Sequence, residues 1–166
     1  LNNDELMDLI VGNLDGSIFC YLNTGSKKTA MFTAKKDVTP FYLGYDNVGA
    51  SPFLADLNTD GLMDLIVGCG GSVLYFSNTG TNTNPVFTNR TGGSNPFENI
   101  KVVLETTASL VPRASPSLVD LNFDSKLDLV LGTATGKIQY YINTGTLLPI
   151  HSAFIGQTIQ TFHRRY

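Results

Sequence analysis

Three segments of this chain align with one another: LNNDELMDLIVGNLDGSIFCYLNTG at 1–25, DLNTDGLMDLIVGCGGSVLYFSNTG at 56–80 and DLNFDSKLDLVLGTATGKIQYYINTG at 120–145. Asp8, Asp64 and Asp128 correspond, as do Gly12, Gly68 and Gly132, and Asn-Thr-Gly closes each segment at 23–25, 78–80 and 143–145. The shared aspartates are spaced by 56 and then 64 residues. Self-similarity at such a period confines the fold to a tandem array in which each unit buries its apolar face against a neighbour.

Within a unit the pattern is β. Leu9-Ile10-Val11, Leu65-Ile66-Val67 and Leu129-Val130-Leu131 are short apolar runs between Asp and Gly, which reads as strands buried on both faces. A Gly-bearing turn follows each run. Then come Ile18–Leu22, Val73–Phe76 and Ile138–Ile142, rich in β-branched and aromatic residues, so each pair of runs predicts a hairpin. Ser51–Ala55 and Ser115–Val119 read as strands leading into two of the Asp-rich loops. Met31-Phe32-Thr33, Val86-Phe87-Thr88 and Ala153-Phe154-Ile155 supply an outer fourth strand. No amphipathic helix is expected.

The fold class that follows is all-β: tandem four-stranded antiparallel blades of propeller type, about three units, the first lacking its first strand because the chain begins inside that motif. Propellers close with roughly four to eight blades, so this chain is not expected to close a ring alone. The units run 1–55, 56–119 and 120–166. The extra length of the second is placed in a surface loop around 89–98, marked by Thr91-Gly92-Gly93-Ser94-Asn95-Pro96.

The acids are not scattered. Of 14 Asp and Glu residues, eight (Asp4, Asp8, Asp56, Asp60, Asp64, Asp120, Asp124 and Asp128) fall in three short windows, a crowding that favours a bound cation. In the second window Asp56, Asn58, Asp60 and Asp64 stand at positions 1, 3, 5 and 9, with Gly61 permitting a sharp turn and Leu62 offering its carbonyl. Oxygen-only donors at this density suit calcium, which takes six to eight oxygen ligands; magnesium keeps more water, and zinc would want His or Cys. The loop is not an EF-hand, since its twelfth residue is Val67 rather than a bidentate acid. The third loop keeps Asp120, Asn122, Asp124 and Asp128, with Lys126 in the place of Leu62 and Ser125 in the place of the glycine, which predicts a weaker site. The first retains Asn2, Asp4 and Asp8, with Glu5 at the glycine position, and is incomplete as it stands. Asx turns at loop tips use the same residue types, but threefold recurrence with a ninth-position Asp favours metal.

With these residues in view, the sequence resembles the FG-GAP/VCBS repeat family, which includes the blades of integrin α-subunit propellers. The resemblance is carried by Ser51-Pro52, Ala55-Asp56, Asn58, Asp60-Gly61, Asp64 and Gly68, followed by Tyr75-Phe76 and Asn78-Thr79-Gly80. It implies that the Asp-rich loop joins the first two strands of a blade and holds calcium. It also implies an extracellular or cell-surface protein with an adhesive, ligand-binding or scaffolding role.

Composition excludes several alternatives. A chain with 42% hydrophobic and 15% charged residues can build a core and is not a disordered tail. Its net charge of −3 and lack of basic clusters argue against a nucleic-acid partner, and no apolar run is long enough to span a membrane. His151 and His163 are the only histidines, and a metal-ligand role explains repeated acids better than catalysis, because an active site is normally unique; no enzyme is expected. Cys20 and Cys69 read as small buried hydrophobes. Asn89-Arg90-Thr91 is a candidate N-glycosylation site at Asn89, and neighbouring Ser and Thr could take O-glycans. The expected role is a non-enzymatic, calcium-stabilised structural or adhesive module of a larger surface assembly or fibre. The alternative is a calcium-dependent carbohydrate- or protein-binding propeller fragment. Partners are other copies of the chain or adjoining repeats, with strand exchange through 157–166 as one route, and a glycan or protein as the alternative ligand.

Overall fold

The computed structural model describes residues 1–35, 41–42, 49–102, 113–145 and 154–159, with 41–42 and 154–159 described by backbone alone. These residues form three separate antiparallel sheets, none closed on itself. The first holds β1 (Leu9–Gly12), β2 (Ser17–Asn23), β3 (Phe32–Ala34) and β4 (Phe41–Tyr42). The second holds β5 (Ala50–Ala55), β6 (Asp64–Cys69), β7 (Ser72–Asn78) and β8 (Phe87–Arg90), in that order. The third holds β9 (Ala114–Val119), β10 (Asp128–Thr133), β11 (Ile138–Asn143) and β12 (Phe154–Ile159). The fold is all-β, as the sequence predicts.

The strands arise where β-branched and aromatic residues meet turn chemistry. In the second hairpin Cys69 pairs with Ser72 across Gly70-Gly71, both at positive φ, as a two-residue hairpin turn of type I′ requires. The other two hairpins use three-residue turns, with Gly16 and Gly136 at positive φ. The strand before each Asp-rich loop belongs to the sheet after it: Ala55 pairs with Asp64 and Val119 with Asp128. The sheets therefore begin at Ala50 and Ala114, and the limits at 56 and 120 mark the sequence repeat rather than the blade. In the first sheet β3 and β4 both pair with β2, as an interrupted outer strand, and no described strand lies beyond β1.

The cores lie between successive blades. One cluster joins Ile10 and Ile18 of the first blade to Leu65, Val67 and Phe76 of the second. The other joins Ile66, Val73 and Tyr75 of the second to Ala114, Leu118, Leu129 and Leu131 of the third. The extra length of the second unit enters this junction. Gly92–Ser94 forms one exposed 3-10 turn, but Asn95 and Phe97 are buried, and Phe97 meets the edge of Tyr75 with ring centres 6.4 Å apart and planes at 90°. Ile100 and Val102 complete the wedge. The expectation of a surface loop over 89–98 thus holds only for its glycine-rich part. Asn89 and Arg90 lie on β8, and Phe97 is core because it packs into the cluster of Ile66, Tyr75, Leu129 and Leu131 between blades 2 and 3.

The glycine after the central apolar run has a packing reason in the first two blades. A Cβ on Gly12 would overlap the Ala50 carbonyl and the Pro52 ring, and one on Gly68 would overlap the Ala114 carbonyl and the Pro116 ring. The innermost strand of each following blade lies directly on this glycine. At Gly132 the nearest described atom is the Ser115 Cβ, 3.7 Å away. Gly68→Ala should therefore cost on the order of 2 kcal/mol by forcing blades 2 and 3 apart, whereas Gly132→Ala should stay within about 0.5 kcal/mol of the parent. Urea unfolding midpoints of the two variants test the difference.

Candidate metal centre

Each Asp-rich loop folds on itself through the same hydrogen bonds. In the second, Asn58 Nδ2 donates to Asp60 Oδ2 (2.8 Å), the Asp60 amide donates to Asn58 Oδ1 (3.0 Å) and Asp56 Oδ1 (3.1 Å), and the Leu62 amide donates to Asp60 Oδ1 (2.8 Å). The Gly61 amide donates to Asp56 Oδ2 (2.9 Å). In the third, Asn122, Asp124, Asp120, Ser125 and Lys126 repeat every one of these bonds. In the first, Asn2, Asp4 and Leu6 repeat the part available to them.

The backbone is equally uniform. The fourth and sixth loop positions lie in the left-handed region in all three: Asn3 and Glu5, Thr59 and Gly61, Phe123 and Ser125, with φ between 58° and 85°. Only the sixth position announced itself in the sequence, through Gly61. A non-glycine residue held there costs about 1–2 kcal/mol, and for β-branched Thr59 or bulky Phe123 the conformation is uncommon.

The site residues divide into two groups. Asp56, Asn58 and Asp60 come together at the loop, as do Asp120, Asn122 and Asp124, and Asn2 with Asp4. The ninth-position aspartates point the other way. Asp64 is wholly buried: Oδ1 accepts the Asn78 amide (2.8 Å), and Oδ2 accepts the Tyr75 hydroxyl (2.9 Å) and the Leu57 amide (3.3 Å). Asp128, also wholly buried, accepts the Asn143 amide (2.7 Å) and the Leu121 amide (2.8 Å). Asp8 accepts the Asn23 amide (2.9 Å) and the Leu1 nitrogen (2.5 Å). Among the described residues no group of three or more His, Cys, Asp or Glu side chains gathers in metal-binding geometry. What gathers in each complete loop is two carboxylates and a carboxamide, an oxygen set whose chemistry fits a hard cation.

Electrostatics separate the loops. The Leu6 amide and the Asn2 carboxamide hold the Asp4 carboxyl below its usual range. At Asp124 burial opposes ionisation, but the Lys126 amide and ammonium and the Asn122 carboxamide outweigh it, and this carboxyl too lies low. The Lys126 ammonium stands 3.1 Å from Asp124 Oδ2, so the third loop carries a cation of its own beside a candidate ligand. Asp64 is shifted upward by burial, against the three donors it accepts. Burial also pushes the Cys20 thiol up to about 11 and leaves Cys69 and the Tyr75 hydroxyl raised. Both cysteines are buried and unbonded to each other, as small core residues.

The Asn of each Asn-Thr-Gly has a role that the sequence signalled only by recurrence. Asn23 Oδ1 accepts the Gly25 and Met31 amides, Asn78 Oδ1 the Gly80 and Val86 amides, and Asn143 Oδ1 the Gly145 amide. Its own amide is the one each buried aspartate holds. The Asp of the loop and the Asn at the hairpin's end therefore form one linked strap.

Fold and loops together define an open tandem-repeat protein built from propeller-type blades. The family profile for the FG-GAP-like repeat matches residues 1–67, from the first unit into the central strand of the second, so this part of the chain is similar to FG-GAP-like repeats. No curated protein and no solved structure matches the chain.

Asp64→Asn should be destabilising by about 1–3 kcal/mol, because a carboxamide cannot accept from all three donors and leaves one buried. The pH dependence separates charge from packing. A carboxyl whose folded pKa is raised stabilises most below its unfolded pKa and loses that contribution as pH rises through the folded value. Urea midpoints in chelator should show that decline in the parent as pH rises above the ordinary carboxylate range, and a shallower one in Asp64→Asn.

Proposed function

We propose that this chain is a non-enzymatic, calcium-stabilised structural module of an extracellular or cell-surface assembly. The observation that carries the proposal is the threefold recurrence of one strained loop whose converging side chains offer only oxygen. Strain held identically at three places needs a compensating interaction, and a divalent cation supplies one. Asp56, Asn58, Asp60 and the Leu62 carbonyl would hold the ion in the second loop. Asp120, Asn122, Asp124 and the Lys126 carbonyl would do so in the third, and Asn2 and Asp4 supply a partial set in the first. Asp64 and Asp128 join as further ligands only by sharing oxygens already engaged with amides; in that event they couple the ion directly to the strands.

The bound ion would neutralise paired carboxylates and fix the link between the innermost strand and the central one of each blade. Sites with two carboxylates on exposed loops suit the weak calcium affinities of extracellular modules, around 10⁻⁴–10⁻³ M, which stay loaded only where calcium is abundant. Among the described residues no helix is long and apolar enough to cross a membrane. Repetition of the site across blades supports architecture over catalysis. Asn89, exposed on the edge strand β8 and followed by Arg90-Thr91, is the position an N-glycan would take on a secreted chain, and mass spectrometry of the native protein would reveal it.

Calcium at a hundredfold excess over Kd should stabilise the fold by about 2.7 kcal/mol per site, read as a rise in Tm that chelator reverses. Asp60→Ala should remove the second site from a calorimetric calcium titration, and Lys126→Ala should tighten the third by freeing Asp124. Identical melting curves in calcium and in chelator would sink the proposal.

A further inference from the structure

A cleft of about 330 Å³ opens in the second blade, between the β6–β7 turn, the end of β8 and the segment that follows it. Its polar lining includes Ser72, Asn89, Arg90, Asn95, Glu98 and Lys101. The walls are firmly held. Phe97, Ile100 and Val102 anchor the segment in the core, the Val102 amide donates to the Gly71 carbonyl (2.7 Å), and Lys101 makes an antiparallel bridge with Ser72. Asn95 is buried beneath them. Its Nδ2 donates to the Val73 carbonyl and to Glu98 Oε2, both at 3.3 Å, and its Oδ1 accepts the Phe97 amide at 3.0 Å. A site preformed in this way loses little affinity to ordering.

The charged groups are not consumed in holding the cleft together. Arg90 donates through Nε to Ser77 Oγ (2.7 Å), which leaves its terminal guanidinium nitrogens without a partner among the described residues. Lys101 Nζ donates to Ser72 Oγ (3.1 Å) and keeps further N–H bonds to offer. Glu98 engages Oε2 with Asn95, and its Oε1 accepts nothing among the described residues. The ion pairs among those residues all lie elsewhere, so Glu98 neutralises neither cation. Two cations and an anion thus face one cleft unpaired.

We propose that this cleft binds a free α-amino acid, its carboxylate held by Arg90 and Lys101 and its ammonium by Glu98. The proposal goes beyond the metal-stabilised role and does not depend on it, since of the candidate metal ligands none lines the cleft. A neutral sugar would cover three charged groups and pair none of them, at a desolvation cost that a zwitterion avoids. The volume lies near the lower end of the range usual for small-molecule sites, about 300–1,000 Å³, which suits one amino acid better than a chain of sugars.

Thermal shift of the intact chain against each standard L-amino acid, followed by calorimetric titration of those that raise Tm, tests this. Asn89 lines the cleft, so the Asn89→Gln chain is titrated beside the parent to remove any shading by an N-glycan. The expected result is saturable binding that weakens by at least about tenfold when the same amino acid is N-acetylated or amidated. Glu98→Gln and Lys101→Gln should each weaken it by a similar factor. Both side chains are exposed, and circular dichroism should show both variants folded. The proposal is overturned if no amino acid binds, if binding survives both substitutions undiminished, or if glucuronate binds more tightly than any amino acid. The calcium-dependent rise in Tm should be the same in Glu98→Gln as in the parent, so the metal reading is judged separately.

Discussion

A buried carboxylate bound to two backbone amides holds the second and third blades in register. Asp64 collects the Leu57 amide at the start of its loop and the Asn78 amide at the end of the hairpin, Asp128 does the same in the third blade, and Asp8 takes the corresponding Asn23 amide in the first. A carboxylate is costly to bury, and here the cost is offset by donors aimed at both oxygens. Tyr75 adds a third donor at the second blade alone. Because loop start and hairpin end are fixed by one side chain, the loop can hold left-handed residues without fraying. The adjoining Asn carries the strap on to the turn that begins the outer strand.

The array grows from the same economy. In the first two blades a glycine after the central apolar run lets the next blade's innermost strand lie against bare backbone, and Leu or Val of the next blade's central strand fills the junction. Ser51 and Ser115, on successive innermost strands, stand 3.1 Å apart at their hydroxyls. The Lys35 ammonium reaches from the first blade to the Thr83 carbonyl of the second, 3.2 Å away. Stability in such a solenoid-like arrangement is a sum of units and nearest-neighbour junctions. The inserted Phe97 shows how one junction can be adjusted without altering the repeat.

Much of this was legible in the sequence. The recurring Asp, Gly and Asn-Thr-Gly located hairpins, loops and the blade period, since turns and tight packing accept few residue types. The chemistry of the loops was readable from their oxygen donors. What could not be read was direction. Asp56, Asp60 and Asp64 look alike in a line of letters, yet two face the loop and one faces the core. Likewise Phe97 sits in a stretch rich in Gly, Ser and Asn, which by composition is surface, and Leu9, 40% exposed, sits in a run indistinguishable from that of Leu65, 1% exposed.

The sequence by itself determined the repeat, the β character of each unit and the oxygen-rich loops, because these depend on local spacing and on side chains a few residues apart. Tertiary structure decided which aspartates are ligand candidates and which are straps, which glycines are seats for a neighbour, and which apolar strand is core or surface. Those distinctions depend on what stands opposite a residue, and that partner lies 14 or 15 residues away across a hairpin or a whole blade away across a junction.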